Sequence, residues 1–392
     1  MRHTVYLSPG MFGFGRLASY DYFTHVQREL SARMRVRGIE VVTHVTHVFP
    51  TASIRRRALT LAELVADTCG GSDRSLGPIH LVGHSTGGLD ARLVASPTVA
   101  LALPPEKLTW RARLASVTTM NAPHFGTPLA TFFTTASGQR ALRALSVLTV
   151  LGLSFGSTPL AIARALVAAF RGVDRSLGLK IEIFDRATQS LMGLLDGVRS
   201  SEVRDYVKEI GDDQGAMVQL MPEAMDLFVA GIEDRPGVLY QSTVSMAPPV
   251  FARARPPLLR HPWTAASAAV FGALYAVTSR VDPRYPCSAP TSTENEKALT
   301  QAFGRLPEAN ANDGVVPIGS QIWGRLVWAG LGDHLDVLGH FYDADPPKPR
   351  TQDALTAEPP HVDWLFSGSG FGRRQFASLM DAITDGMMAS AR

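Results

Sequence analysis

The run Gly83-His84-Ser85-Thr86-Gly87 offers a serine that can act as a nucleophile, given a histidine to take its proton and an acid to fix that histidine's tautomer. Such a run matters only where a strand turns sharply into a helix, because small flanking residues let the serine adopt the strained backbone that lifts its hydroxyl above a sheet. Ile79-His80-Leu81-Val82 supplies the strand, Gly83 and Gly87 flank the turn, and Gly88 lets the next helix pack closely. The same pattern recurs at Gly152-Leu153-Ser154-Phe155-Gly156, so the pentapeptide alone decides nothing. Ser154 lies in a helix-period stretch that Pro159 soon interrupts, and it reads as part of a lid segment. Ser85 is the expected nucleophile.

Chain order supplies the partners, since in a strand-turn-helix serine enzyme it runs Ser, then Asp or Glu, then His. Asn312-Asp313-Gly314-Val315-Val316-Pro317 precedes a strand leading to Gly332-Asp333-His334-Leu335-Asp336, so Asp313 is the expected acid and His334 the expected base. Asn-Asp-Gly is also an ordinary turn signal; its position before the last strand and the paired histidine favour the acid. His340 and His361 are rival bases, and His124 reads as shaping a loop. Acyl transfer further needs two N–H groups aimed at the developing oxyanion. Thr86 supplies one, and Met11, in the Gly-rich loop Ser8-Pro9-Gly10-Met11-Phe12-Gly13, is the choice for the other. The rival reading of this region is dinucleotide binding, since Gly13-Phe14-Gly15-Arg16-Leu17-Ala18 fits G-x-G-x-x-A. That motif needs its first glycine at the strand end and an acid closing the second strand. Here residues intervene, and the second strand ends in Thr43-His44-Val45-Thr46-His47.

These residues need a scaffold, and short β-branched runs alternating with amphipathic segments give the pattern of a mostly parallel sheet with crossover helices. Strands are expected at Thr4 to Leu7, Glu40 to Val48, Ile79 to Val82, Leu114 to Met120, Val238 to Met246 and Arg325 to Ala329. Helices are expected at Leu17 to Arg37, Ser53 to Cys69, Thr86 to Val94, Thr264 to Thr278 and Phe371 to Met388. Three parts result: a core portion over 1–128, a helical lid or cap insertion over 129–235, and a second core portion over 236–392 with an Ala-rich helical segment near 264–278. The Pro- and Asp-rich stretch around Asp343 to Pro360 reads as a loop.

Composition narrows the class. Of the 392 residues 45% are apolar and 19% charged, far from a disordered signature. A net charge of +3, scattered along the chain, suggests no nucleic-acid partner. Cys69 and Cys287 are too few for a disulfide framework and read as buried thiols. Two uncharged stretches, Arg143 to Arg164 and Arg260 to Arg280, approach spanning length, but their Gly, Pro, Ser and Thr content fits buried or lid helices, so no transmembrane segment is expected. No secretory signal opens the sequence, and a cytoplasmic location is expected.

The chain resembles the bacterial triacylglycerol lipases and esterases of the α/β-hydrolase superfamily. The resemblance rests on His84-Ser85-Thr86-Gly87-Gly88, Asn121-Ala122-Pro123-His124-Phe125-Gly126-Thr127-Pro128, Asn312-Asp313-Gly314-Val315-Val316-Pro317 and His334-Leu335-Asp336. It covers about half the chain and leaves the insertion unmatched. It implies an α/β-hydrolase fold and the same three residues, Ser85, Asp313 and His334. Two departures stand out. Pro9-Gly10 replaces the family's His-Gly pair in the oxyanion loop. Some members hold a structural calcium, which here would involve Asp336, but the second carboxylate expected before Asp313 has no matching motif among Asp282, Glu294 and Glu296. No cofactor is therefore expected. The expected activity is serine carboxylic-ester hydrolysis through an acyl-enzyme, on small-molecule or lipid esters with an apolar acyl chain, with transient lipid-surface contact through the lid. A thioesterase or acyltransferase would use the same triad, and a non-catalytic hydrolase-like binding protein would lack one of its members.

Overall fold

The computed structural model describes residues 2–11, 16–17, 20–136, 138–139, 141–142, 145, 213–249, 262–343, 359–363 and 365–391. Strands β1 (Arg2–Ser8), β4 (Glu40–Val45), β5 (Ile79–His84), β6 (Leu114–Met120), β7 (Leu239–Met246) and β8 (Arg325–Leu331) form one six-stranded sheet in the order β4-β1-β5-β6-β7-β8. Every neighbouring pair is parallel. The inner strands β5 and β6 are buried along their whole length, whereas β4 at one edge and β8 at the other are partly open. That is the burial expected of a parallel sheet covered on both faces.

Helix α1 (Thr24–Val36) carries the chain from β1 outward to β4. Helix α2 (Ile54–Thr68) brings it back past β1 to β5, and α3 (Thr86–Ala95) continues to β6. Because parallel crossovers are right-handed, this reversal of direction places α1 on one face and α2 and α3 on the other. The switch lies between β1 and β5, and in open α/β sheets ligands bind outside the carboxyl ends of the strands at such a point. Ser53 caps α2 by accepting from the Arg56 N–H, and Ile54, Ala58, Leu61, Ala62 and Val65 form its buried stripe. The closing helix α9 (Arg373–Ser390) buries Phe376, Leu379, Met380, Ile383 and Met387 and packs beside α1.

Between these lie α4 (Pro128–Phe133), α5 (Gly215–Gln219), α6 (Pro222–Gly231), α7 (Pro262–Thr278) and α8 (Thr293–Phe303). The lid expected over 129–235 falls mostly outside the described residues, as does Ser154; its described ends are α4, α5 and α6, and α4 packs on α5 and α7. The Ala-rich segment is helix α7, with Phe271 packed on Gly314. Among the described residues no helix is long and apolar enough to cross a membrane.

One helix differs from expectation. The segment expected as helical from Leu17 becomes so only at Thr24, and residues 16–17 and 20–21 instead form the short antiparallel strands β2 and β3. The run Tyr20-Asp21-Tyr22-Phe23 has weak helix preference. Tyr22 and Phe23 are both buried, and Tyr22 is held by a hydrogen bond to His84. Helix α8, with Ser292 as its N-cap and a left-handed Gly304 at its end, is an addition to the expected elements.

Candidate active site

Ser85 sits between β5 and α3 with φ 54° and ψ −129°. This positive φ is costly for a residue with a side chain and is held here by the surrounding packing. The Ser85 N–H donates to the Met120 carbonyl at 2.8 Å, and the Ser85 carbonyl accepts from Gly88 at 2.9 Å. Gly87 must be glycine, since a Cβ there would lie 2.0 Å from the Ser8 carbonyl oxygen. Thr86 is the first residue of α3, so its N–H is among those a helix leaves without an intrahelical acceptor.

Asp313 and His334 meet as expected. His334 Nδ1 lies 2.7 Å from Asp313 Oδ2, and the His334 N–H donates to the Asp313 carbonyl at 3.0 Å. Both side chains are buried. Asp313 Oδ1 accepts from the N–H groups of Val315 and Val316, at 2.9 and 2.7 Å. Gly314 N–H meanwhile donates to Asn312 Oδ1, so Asn312-Asp313-Gly314 forms a turn while the Asp313 carboxylate faces His334. The Asn312 carbonyl accepts from Ala247, which seats this loop at the carboxyl end of β7, while His334 follows β8. Ser85, Asp313 and His334 thus stand at the ends of three strands of one sheet. Among the described residues no hydrogen bond joins Ser85 Oγ to His334 Nε2; His84, the residue before Ser85, has its ring centroid 4.6 Å from that of His334. Catalytic hydrogen bonds are often formed only once substrate is bound.

The loop after β1 reaches the serine. A Cβ on Gly10 would lie 2.8 Å from the Ser85 Cβ, so only glycine allows this approach. Met11 comes directly after it and is buried. The loop is anchored from below by Arg57 and Asp90, both fully buried and paired at 2.8 Å. Asp90 also accepts from Ser8 Oγ at 2.8 Å, and Arg57 donates to the Pro9 carbonyl and to the Phe49 and Pro50 carbonyls. Burial pushes the Asp90 carboxyl up, while Arg57 and Ser8 oppose the shift. With this many donors converging on it, the carboxylate is the form that satisfies the geometry.

Several contributors lie beyond the expected set. Asn121 ends β6 in a left-handed conformation, φ 50°, and donates its amide to Asp313 Oδ2 at 3.0 Å. In the sequence it stands directly after a strand and opens one of the motifs that carry the resemblance, with no sign that it reaches Asp313. Tyr22, Arg57 and Asp90 give no signal, and His84, though it stands in the serine motif, gives no sign of its contacts, because their partners lie far away in the chain. The rival histidines serve elsewhere. His361 donates to the Gly339 carbonyl and stacks between His25 and Phe341, and His340 donates to the Tyr22 carbonyl. His124 is buried between Arg92 and Thr119.

Asp336 gathers with Asp333 and Asp363 behind His334, the first two buried and Asp363 partly so, with all three carboxyls pushed up, first by desolvation and then by neighbouring carboxylates. Asp333 Oδ1 is taken by the N–H groups of Leu335 and Asp336, and Asp336 Oδ2 by the Asp333 N–H and Ser369 Oγ. Asp282 instead pairs with Arg284 at the surface. Among the described residues no group of three or more His, Cys, Asp or Glu side chains is arranged to hold a metal ion. Both cysteines are free and buried.

The chain matches no family model and no curated protein. Among solved structures it is similar to EstA from Clostridium botulinum, at 18% identity over 96% of this chain and 87% of that one, with a TM-score of 0.48. It is also similar to the metagenomic carboxyl esterase MGS0156, at 16% identity over 99% and 75% of the two chains, TM-score 0.47. The Staphylococcus hyicus lipase aligns at 15% identity over 98% and 96%, TM-score 0.45. At these scores the likeness stands beside the geometry and carries none of the argument. By its parallel sheet and the strained turn at Ser85, the chain has the α/β-hydrolase fold.

Proposed function

We propose that the protein is a serine carboxylic-ester hydrolase acting on esters with an apolar acyl chain. The observation that carries this reading is the buried 2.7 Å pair between His334 Nδ1 and Asp313 Oδ2, whose histidine ring lies 4.6 Å from that of His84, the residue before a serine held at φ 54°. In this reading His334 Nε2 takes the Ser85 proton as Oγ attacks the ester carbonyl. Met11 and Thr86 N–H groups receive the oxyanion, and Asp313 stabilises the imidazolium. The tetrahedral intermediate collapses, and His334 returns its proton to the departing alcohol. Water, deprotonated by His334, then cleaves the acyl-enzyme and frees the acid. The reaction needs no cofactor.

The choice of an apolar acyl chain rests on the surroundings of the acid loop. Helix α7 lays Phe271 on Gly314, and the insertion beginning at α4 is rich in apolar residues. A lid over such a site gives an activity that climbs once the ester exceeds its solubility and the lid contacts a lipid surface. Rates on p-nitrophenyl esters of increasing acyl length, measured below and above the solubility limit, test the reading. Hydrolysis that favours medium or long chains supports it; strict preference for acetate contradicts the acyl-chain assignment.

A further inference from the structure

Buried groups outside the triad connect its base to the oxyanion loop. His84 Nε2 lies 2.8 Å from the His334 carbonyl oxygen. A carbonyl only accepts, so Nε2 carries the proton and Nδ1 is left as an acceptor. Tyr22 Oη, 2.7 Å from His84 Nδ1, is therefore the donor there. The lone pairs of that phenol receive the Gly10 N–H. His84 is fully buried, and desolvation together with the nearby His334 drives its pKa well below the usual histidine value, so it stays neutral. The hydrogen bonds consequently run in one direction: Gly10 N–H to Tyr22, Tyr22 O–H to His84, His84 N–H to the His334 carbonyl.

The other side of the loop is held too. Arg57 donates to the Pro9 carbonyl, so both polar groups of the Pro9–Gly10 peptide have fixed partners. That plane sets how the chain enters Met11, whose N–H is one of the proposed oxyanion donors. The His334 backbone, in turn, is fixed by Asp313 through its N–H and by His84 through its carbonyl.

We propose that Tyr22 and His84 are positioning residues that couple the orientation of the base His334 to that of the oxyanion loop, aligning both halves of the acyl-transfer machinery as one unit. The inference rests on the ester-hydrolase reading for its kinetic readout. Neither residue touches the substrate carbonyl; they act through His334 and Gly10.

Tyr22→Phe keeps the ring and removes the relay. The expected result is a kcat, per site titrated with a phosphonate, lower by roughly tenfold to a hundredfold, as misplacement of reacting groups by a fraction of an ångström produces. KM stays within about twofold, because ground-state binding is untouched. His84→Leu gives a similar loss. The double variant loses no more than the worse single, since a broken relay cannot be broken twice. Unchanged kcat per titrated site, a loss confined to KM, or multiplicative losses in the double variant overturn the proposal. Tautomer analysis of ¹⁵N-histidine in the parent keeps it testable should the variants not fold. A neutral His84 protonated at Nε2 supports the relay, whereas an Nδ1–H tautomer or an imidazolium overturns it. A parent that hydrolyses no ester defeats the functional reading but leaves this tautomer measurement standing.

Discussion

Asn121 Nδ2 lies 3.0 Å from Asp313 Oδ2, the same oxygen that faces His334 Nδ1. The Asp313 carboxylate is thereby held by a side chain from the end of β6 as well as by its own loop. Asp313→Asn keeps this packing but offers His334 the wrong hydrogen-bonding partner. Its kcat is expected to fall by about 10⁴-fold, the scale of loss for that change in a Ser-His-Asp triad. Asn121→Ala removes one charge-assisted bond, and kcat should fall by about tenfold or somewhat more. Steady-state kinetics on a soluble ester separate the two; equal losses would contradict the ordering.

Gly10→Ala adds a methyl whose position lies 2.8 Å from the Ser85 Cβ. The loop must retreat from the serine, taking the Met11 N–H with it. A loss of about a hundredfold in kcat is expected, with the fold intact by circular dichroism. Activity at the parent level would show that this loop does not serve the oxyanion.

Asp90→Ala leaves Arg57 charged in a fully buried site. Removing one member of such a pair costs about 3–5 kcal/mol, read as a lowered urea midpoint. Replacing both residues by apolar ones should recover much of that stability while leaving the Pro9 loop unanchored and kcat low. Full recovery of activity in the double variant would argue against an anchoring role.

Much of this frame is legible in the sequence. The six strands can be read because each is a short β-branched run between turn signals, and β5 with its glycines points straight to Ser85. Chain order points to Asp313 and His334, and the structure brings these two side chains within 2.7 Å of each other. The start of α1 is obscured because Leu17 and Ala18 continue an apolar rhythm that β2 and β3 interrupt, and α8 is hidden in a polar run, Thr293-Glu294-Asn295-Glu296-Lys297, where only Asn295 and Leu299 are buried. Tyr22, Arg57, His84, Asp90 and Asn121 carry no readable role. Each is an ordinary residue until folding brings it to a partner 33 to 250 positions away.

The carboxyls around Asp336 predict a dependence of stability on pH. Burial raises the Asp333 pKa to about 6, with the Asp313 charge adding to it, while Ser367 and two loop N–H groups oppose the rise. Asp336 and Asp363 are also raised well above the ordinary carboxyl value, by burial first and then by neighbouring carboxylates. The folded chain therefore keeps protons that the unfolded chain has lost, and stability declines as pH rises from about 4 upward through 6. Asp336→Asn removes one of these charges. In calcium-free buffer its Tm relative to the parent should increase from about pH 5 to about pH 8; a difference that does not change with pH would contradict this.

The nucleophile is tested by hydrolysis of p-nitrophenyl esters with the parent, Ser85→Ala and Ser154→Ala. The parent and Ser154→Ala should turn over at the same rate, and Ser85→Ala should fall to the uncatalysed background with an unchanged thermal transition. Hydrolysis retained by Ser85→Ala, or lost only in Ser154→Ala, would contradict the assignment of Ser85.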